Sequence, residues 1–142
     1  MTTVTEGNYL RDSQGYLDPA GGYRRGIYLE DAHFVADRLQ RGTSVHALRR
    51  FFNRVKAIER SMEGGRRFDA HKNDLYSLIP HAAYAVKRGL ASAFFPIFIE
   101  RNVMQAVTGW DQLEGFVKHF ESVVAYFPTD TSRGGGNTYG RR

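Results

Sequence analysis

The chain of 142 residues contains no cysteine, which excludes disulfides, thiolate metal sites and cysteine nucleophiles. It has no apolar run long enough for a membrane. The longest strongly apolar stretch, residues 90–99, carries Pro96 and falls far short of the roughly 20 residues that a spanning helix needs. The first 17 residues are polar and show no apolar signal region, so a soluble cytoplasmic protein with no membrane partner is expected. No phosphate-binding loop, dinucleotide-binding glycine fingerprint or nucleophile elbow occurs. Gly64-Gly65-Arg66-Arg67 resembles a phosphate-cradling turn only in composition and reads as a loop between helices. No segment alternates with the two-residue period of a strand, and no internal repeat is visible.

Basic charge, by contrast, is abundant and concentrated. The formal net charge is +5 and the isoelectric point is near 9.7, a balance that favours polyanionic partners. Between Arg41 and Arg67, eight basic residues stand against two acidic ones. Within this stretch Leu48, Phe51, Phe52, Val55, Ile58 and Met62 form one apolar stripe at helical period. At about 100° per residue, the opposite face holds His46, Arg49, Asn53, Lys56 and Arg60, with Arg50 and Arg54 on its flank. Thr43 and Ser44 offer hydroxyls to cap its start. Such a helix buries phenylalanines on one side and presents guanidinium groups to phosphates on the other.

The pattern predicts an all-α fold, a compact bundle of about five helices over residues 27–127 with flexible tails at 1–26 and 128–142. Both ends are rich in Gly, Thr, Tyr and Asp and have no sustained period. Their Arg-Gly pairs, near Tyr23 and Arg133, read as incidental charge. The predicted helices cover about 29–39, 44–62, 72–87, 91–107 and 110–127. The first turns Leu29, Ala32, Val35, Ala36 and Leu39 inward. In the third, the inward set is Leu75, Leu78, Ile79, Ala82, Ala83 and Val86, and Pro80 should bend or split the helix. The fourth is apolar over most of its girth, which predicts a central position, and Pro96 should delay or kink it. The fifth places Trp110, Leu113, Phe116, Val117, Phe120, Val123, Val124 and Phe127 in one arc and closes at Pro128.

Catalytic and metal-binding candidates are sparse. His33, His46, His71, His81 and His119 fall on different predicted elements, and no pair has the helical spacing of a metal site. They read as surface imidazoles, with His119 on the outer face of the last helix. Carboxylates group only as helix N-terminal charges or solvated partners of neighbouring cations. No enzymatic activity, metal or cofactor is expected. Basic residues recur, however: Lys87 and Arg88 end the third helix, Arg101 lies in the fourth and Lys118 in the fifth. Tyr84 stands one turn before Arg88, where its ring can stack on a base or on the guanidinium. Cations spread over several elements suit tracking of a backbone better than reading of bases.

Three motifs in order resemble a known family: Leu48-Arg49-Arg50-Phe51-Phe52 on a Thr/Ser-capped helix, Leu78-Ile79-Pro80 leading to Tyr84-Ala85-Val86-Lys87-Arg88, and the final run from Phe116 to Phe127. Over about residues 29–127 the chain resembles the small subunit of the type III-A CRISPR interference (Csm) complex, which serves antiviral defence. The resemblance implies a small all-helical protein without catalytic activity. Several copies would stack along the duplex of crRNA and target RNA, beside backbone subunits that supply ribonuclease activity, with a large polymerase-like subunit at one end. It carries RNA contact to Arg49, Arg50, Lys87 and Arg88, while Arg54, Lys56, Arg101 and Lys118 are added from helix geometry and charge. The Gly-rich tails depart from the family. The other reading is a small helical DNA-binding regulator with the basic helix in a major groove. Its bulky phenylalanines and its scarcity of Asn and Gln fit that role poorly. A pure protein adaptor would leave the basic stripe unexplained.

Overall fold

The computed structural model describes residues 3–11 and 15–129. Among these residues seven α-helical segments follow in order: α1 (Arg25–Tyr28), α2 (Glu30–Leu39), α3 (Val45–Ser61), α4 (Phe68–His71), α5 (Leu78–Lys87), α6 (Phe94–Ala106) and α7 (Trp110–Tyr126). Short 3-10 turns occupy Glu63–Gly65 and Lys72–Ser77. Among the described residues there is no strand, only one isolated bridge between Leu17 and Tyr23. The long helices α2, α3, α5, α6 and α7 match the five read from periodicity, and the all-α bundle stands.

Central α6 packs on α5, α7 and α2, while α7 packs on α6, α2 and α3. The residues between them are large and aromatic. Phe98 meets Phe120 edge-on with ring centroids 5.1 Å apart, and Phe116 stacks on Phe120 at 5.8 Å. Such pairs contribute about 0.5–1.5 kcal/mol each beyond their burial. Both internal prolines sit where a proline does no harm. Pro80 and Pro96 occupy the third positions of α5 and α6, inside the first turn, whose N–H groups have no intrahelical acceptor anyway. The region before Pro80 is accordingly 3-10 rather than α, and α6 begins at Phe94 rather than at 91. Exposure also departs from the pattern: Leu29 and Ala83 face solvent, while Ala85 is buried. The 3-10 turn shifts the phase of α5 relative to a continuous helix from 72, so the inward face rotates.

The first 26 residues are not a loose tail where they are described. Tyr9 and Tyr16 are fully buried, each through a polar handle that finds a partner far along the chain. The Tyr16 hydroxyl donates to Asn102 Oδ1 at 2.6 Å, and Asn102 Nδ2 donates to the Tyr9 hydroxyl at 2.8 Å. That hydroxyl in turn donates to His119 Nε2 at 2.7 Å, whose Nδ1–H donates to the Ile27 carbonyl at 2.7 Å. Arg24 adds a pair with Asp31 at 2.8 Å and a bond to the Gly15 carbonyl at 2.8 Å. An aperiodic segment can bury its anchors singly, which hydrophobic period does not register. His119 is therefore not on an outer face; it lies within the apolar arc of α7, between Phe116 and Val123. The predicted tail at 128–142, Arg133 included, lies outside the described residues beyond Thr129.

Candidate nucleic-acid interface

The setting of α3 begins at its cap. The Ser44 hydroxyl accepts from the Ala47 N–H at 2.9 Å and starts the helix. Thr43 does something else: its hydroxyl accepts from the Ser92 N–H at 2.9 Å and ties the α2–α3 connection to the start of α6. Phe51 then meets Phe95 of α6 edge-on at 4.7 Å, and Phe52 meets Phe120 of α7 at 5.3 Å. These two rings fix the rotation of α3 about its axis. Arg49, Arg50, Asn53, Arg54 and Arg60 are consequently exposed.

Helix α5 supplies the second wall. His81, Tyr84 and Arg88 are spaced at i, i+3 and i+7, so they share one face, and all three are exposed together with Lys87. Between the helices lies a small cavity of about 110 Å³, lined by Arg50, Phe51 and Arg54 from α3, by His81 and Tyr84 from α5 and by Arg88 at its C-cap. Arg54 Nη1 lies 3.5 Å from His81 Nε2, to which it can only donate. The Arg88 guanidinium sits over the Tyr84 ring, 5.7 Å from its centroid. Among the described residues no carboxylate lies within ion-pair distance of Arg49, Arg50, Arg54, Lys87 or Arg88.

The remaining expected contact residues are engaged elsewhere. Lys56 pairs with Glu59 at 3.2 Å. Glu59 also hydrogen-bonds Glu114 of α7, and that bond, with burial, raises the Glu114 carboxyl above its usual range. Arg101 donates to the Tyr9 carbonyl at 3.0 Å and also to the Glu6 carbonyl, clamping the N-terminal segment on α6; burial lowers its pKa. Lys118 lies over the Tyr23 ring, 5.5 Å from its centroid. The structure thus gathers Arg50, Arg54 and Arg88, flanks them with Arg49 and Lys87, and sets Lys56, Arg101 and Lys118 apart. Sequence reasoning left His81 out of this group. The 81, 84, 88 spacing was the signal that would have included it.

This arrangement presents hydrogen-bond donors and positive charge without a nucleophile or a paired acid and base. His119 is sealed in the core, and burial lowers its pKa to about 4 despite the bond to Ile27, so the ring is neutral near pH 7. Among the described residues no cluster of three or more His, Cys, Asp or Glu side chains is disposed to hold a metal, and no helix is long and apolar enough to cross a membrane.

A family model, Csm2 Type III-A, matches residues 28–132. No curated protein and no solved structure matches the chain. The matched span covers α2 through α7 and most of the chain, and the chain belongs to the Csm2 Type III-A family, the small subunit of the type III-A CRISPR complex. Membership implies association with the other subunits of that complex.

Proposed function

We propose that this Csm2 Type III-A family member is a non-catalytic RNA-binding subunit that grips phosphates with Arg50, Arg54 and Arg88, flanked by Arg49 and Lys87. One observation carries the reading. Five exposed cations stand on two adjoining helices without a carboxylate partner among the described residues. Cations left unpaired are the ones whose counterions a polyanion releases. Within the complex, several copies stack along the duplex of crRNA and target RNA beside the backbone subunits, and the polymerase-like subunit lies at one end. A single site with so few phosphate contacts binds weakly. Side-by-side copies on one polyanion raise one another's effective concentration.

The test uses the full chain, labelled RNA and two salt concentrations. Each phosphate contact on a single strand contributes roughly −0.7 to the slope of log K against log salt. The Arg50→Glu/Arg54→Glu double variant is expected to lose measurable binding with helicity intact, and the RNA is expected to remain uncut with or without divalent metal. Unchanged affinity in that variant refutes phosphate gripping by α3. In the reconstituted complex, mass measurement is expected to give more than one copy.

A further inference from the structure

We infer that the cavity between α3 and α5 is a subsite for an unpaired nucleotide, with its phosphate between Arg50 and Arg54 and its base stacked on Tyr84. The inference rests on the RNA-binding reading and adds a ligand class to it. Tyr84 is 58% exposed, more than any other large apolar or aromatic side chain among the described residues. An aromatic ring held this far into water on a helix face contributes little to the fold, and on α5 the core is made by Leu78, Ala82 and Ala85 instead.

Its surroundings say what the ring can receive. Arg88 sits over the ring, and with Tyr84 58% exposed, ring surface remains for a second flat group. The cavity beside it, about 110 Å³, holds only a few waters at about 30 Å³ each. That space admits a phosphate group among the guanidiniums and leaves the attached base outside, level with the ring. Arg54 and His81, 3.5 Å apart, also line it. Bases inside an A-form duplex are stacked and present only their edges, so a ring face is of use only to a base that has left the stack. Stacking on an aromatic face tolerates every base, which matches a site lacking Asn, Gln or carboxylate side chains to read base edges.

The experiment compares three probes of equal length on the full chain: single-stranded RNA, the RNA duplex, and a single strand with abasic positions throughout. Tyr84→Ala is expected to weaken single-strand binding about tenfold or more, within the range measured for base–aromatic stacking. It should leave duplex and abasic binding unchanged, and Tyr84→Phe should retain wild-type affinity. Equal losses on all three probes, or no loss on the single strand, overturn the base shelf. If Tyr84→Ala is silent while Arg50→Glu/Arg54→Glu abolishes binding, the shelf fails and the phosphate reading survives. If the charge reversal is silent, or the wild-type chain binds none of the probes at low salt, the phosphate reading fails and takes the shelf with it.

Discussion

Gly115 sits in the middle of α7 and is buried, where intrinsic propensity alone favours alanine by about 0.8–1 kcal/mol. Packing reverses that preference. A Cβ added at Gly115 would lie 2.6 Å from both Cβ and Cγ of Tyr16 and 2.8 Å from Cδ2, about 1 Å inside ordinary carbon contact. Tyr16 cannot swing aside cheaply, because its hydroxyl is held by Asn102 at 2.6 Å and Asn102 is held by Tyr9. Overpacking costs about 1–3 kcal/mol, and a hydrogen bond broken in the core leaves a polar group short by about 1–3 kcal/mol. Against the propensity gain, Gly115→Ala is expected to destabilise by roughly 2–3 kcal/mol. That corresponds to a drop in Tm of about 5–10 °C for a domain of this size.

Urea and thermal unfolding followed by circular dichroism measure it, with Tyr16→Ala as the second arm of a cycle. Without the ring and its anchor, the backbone at residue 16 is free to yield. In that background Gly115→Ala should cost nothing or stabilise by up to about 1 kcal/mol. If Gly115→Ala stabilises the otherwise unchanged chain, or costs the same in both backgrounds, the N-terminal segment does not press on α7 as described.

Acid should weaken the fold through His119. Its pKa is about 4 in the core against an ordinary 6.5, so the unfolded chain binds the extra proton between those values. Stability is full above about pH 6.5 and falls as pH drops toward 4, by about 2–3 kcal/mol at pH 4.5; urea titrations should show this loss in the parent chain and not in His119→Gln. Arg101→Ala should lower Tm by several degrees through release of the Glu6 and Tyr9 carbonyls yet change RNA affinity less than twofold, since this half-buried guanidinium is engaged by the N-terminal segment and does not line the α3–α5 cavity; an affinity loss equal to that of Arg54→Ala would return Arg101 to the RNA site.

Helical period made the bundle legible because α3 and α7 each bury one continuous arc, from Leu48 to Met62 and from Leu113 to Phe127. It failed where burial is achieved one side chain at a time. Tyr9 reaches His119 across 110 positions and Tyr16 reaches Asn102 across 86. No local pattern encodes such pairings, and this segment also precedes the span that the family model matches, residues 28–132. His119 was legible in principle, because its position falls inside the arc of α7; its polarity masked its place. At the candidate site the cations of α3 followed from period alone. The joining of α5 to them did not, since it depends on how two helices meet through α6 and the 3-10 turn at Lys72–Ser77.

What separates the cations of this chain is what each would give up on meeting a phosphate. Arg101 would have to surrender two backbone carbonyls, and carbonyls left bare at a partly buried site cost free energy that a solvated phosphate contact does not return. Lys56 would leave Glu59, and with it the Glu59–Glu114 pair would lose a nearby positive charge. Lys118 would leave the face of Tyr23. Among the described residues, Arg49, Arg50 and Lys87 have no partner to surrender, Arg54 has a long contact to a neighbouring imidazole at 3.5 Å, and Arg88 can keep Tyr84 while it binds. Formal charge in the sequence counts all of these alike. The geometry ranks them by the cost of release, and three of the inexpensive ones, Arg50, Arg54 and Arg88, line one cavity between α3 and α5.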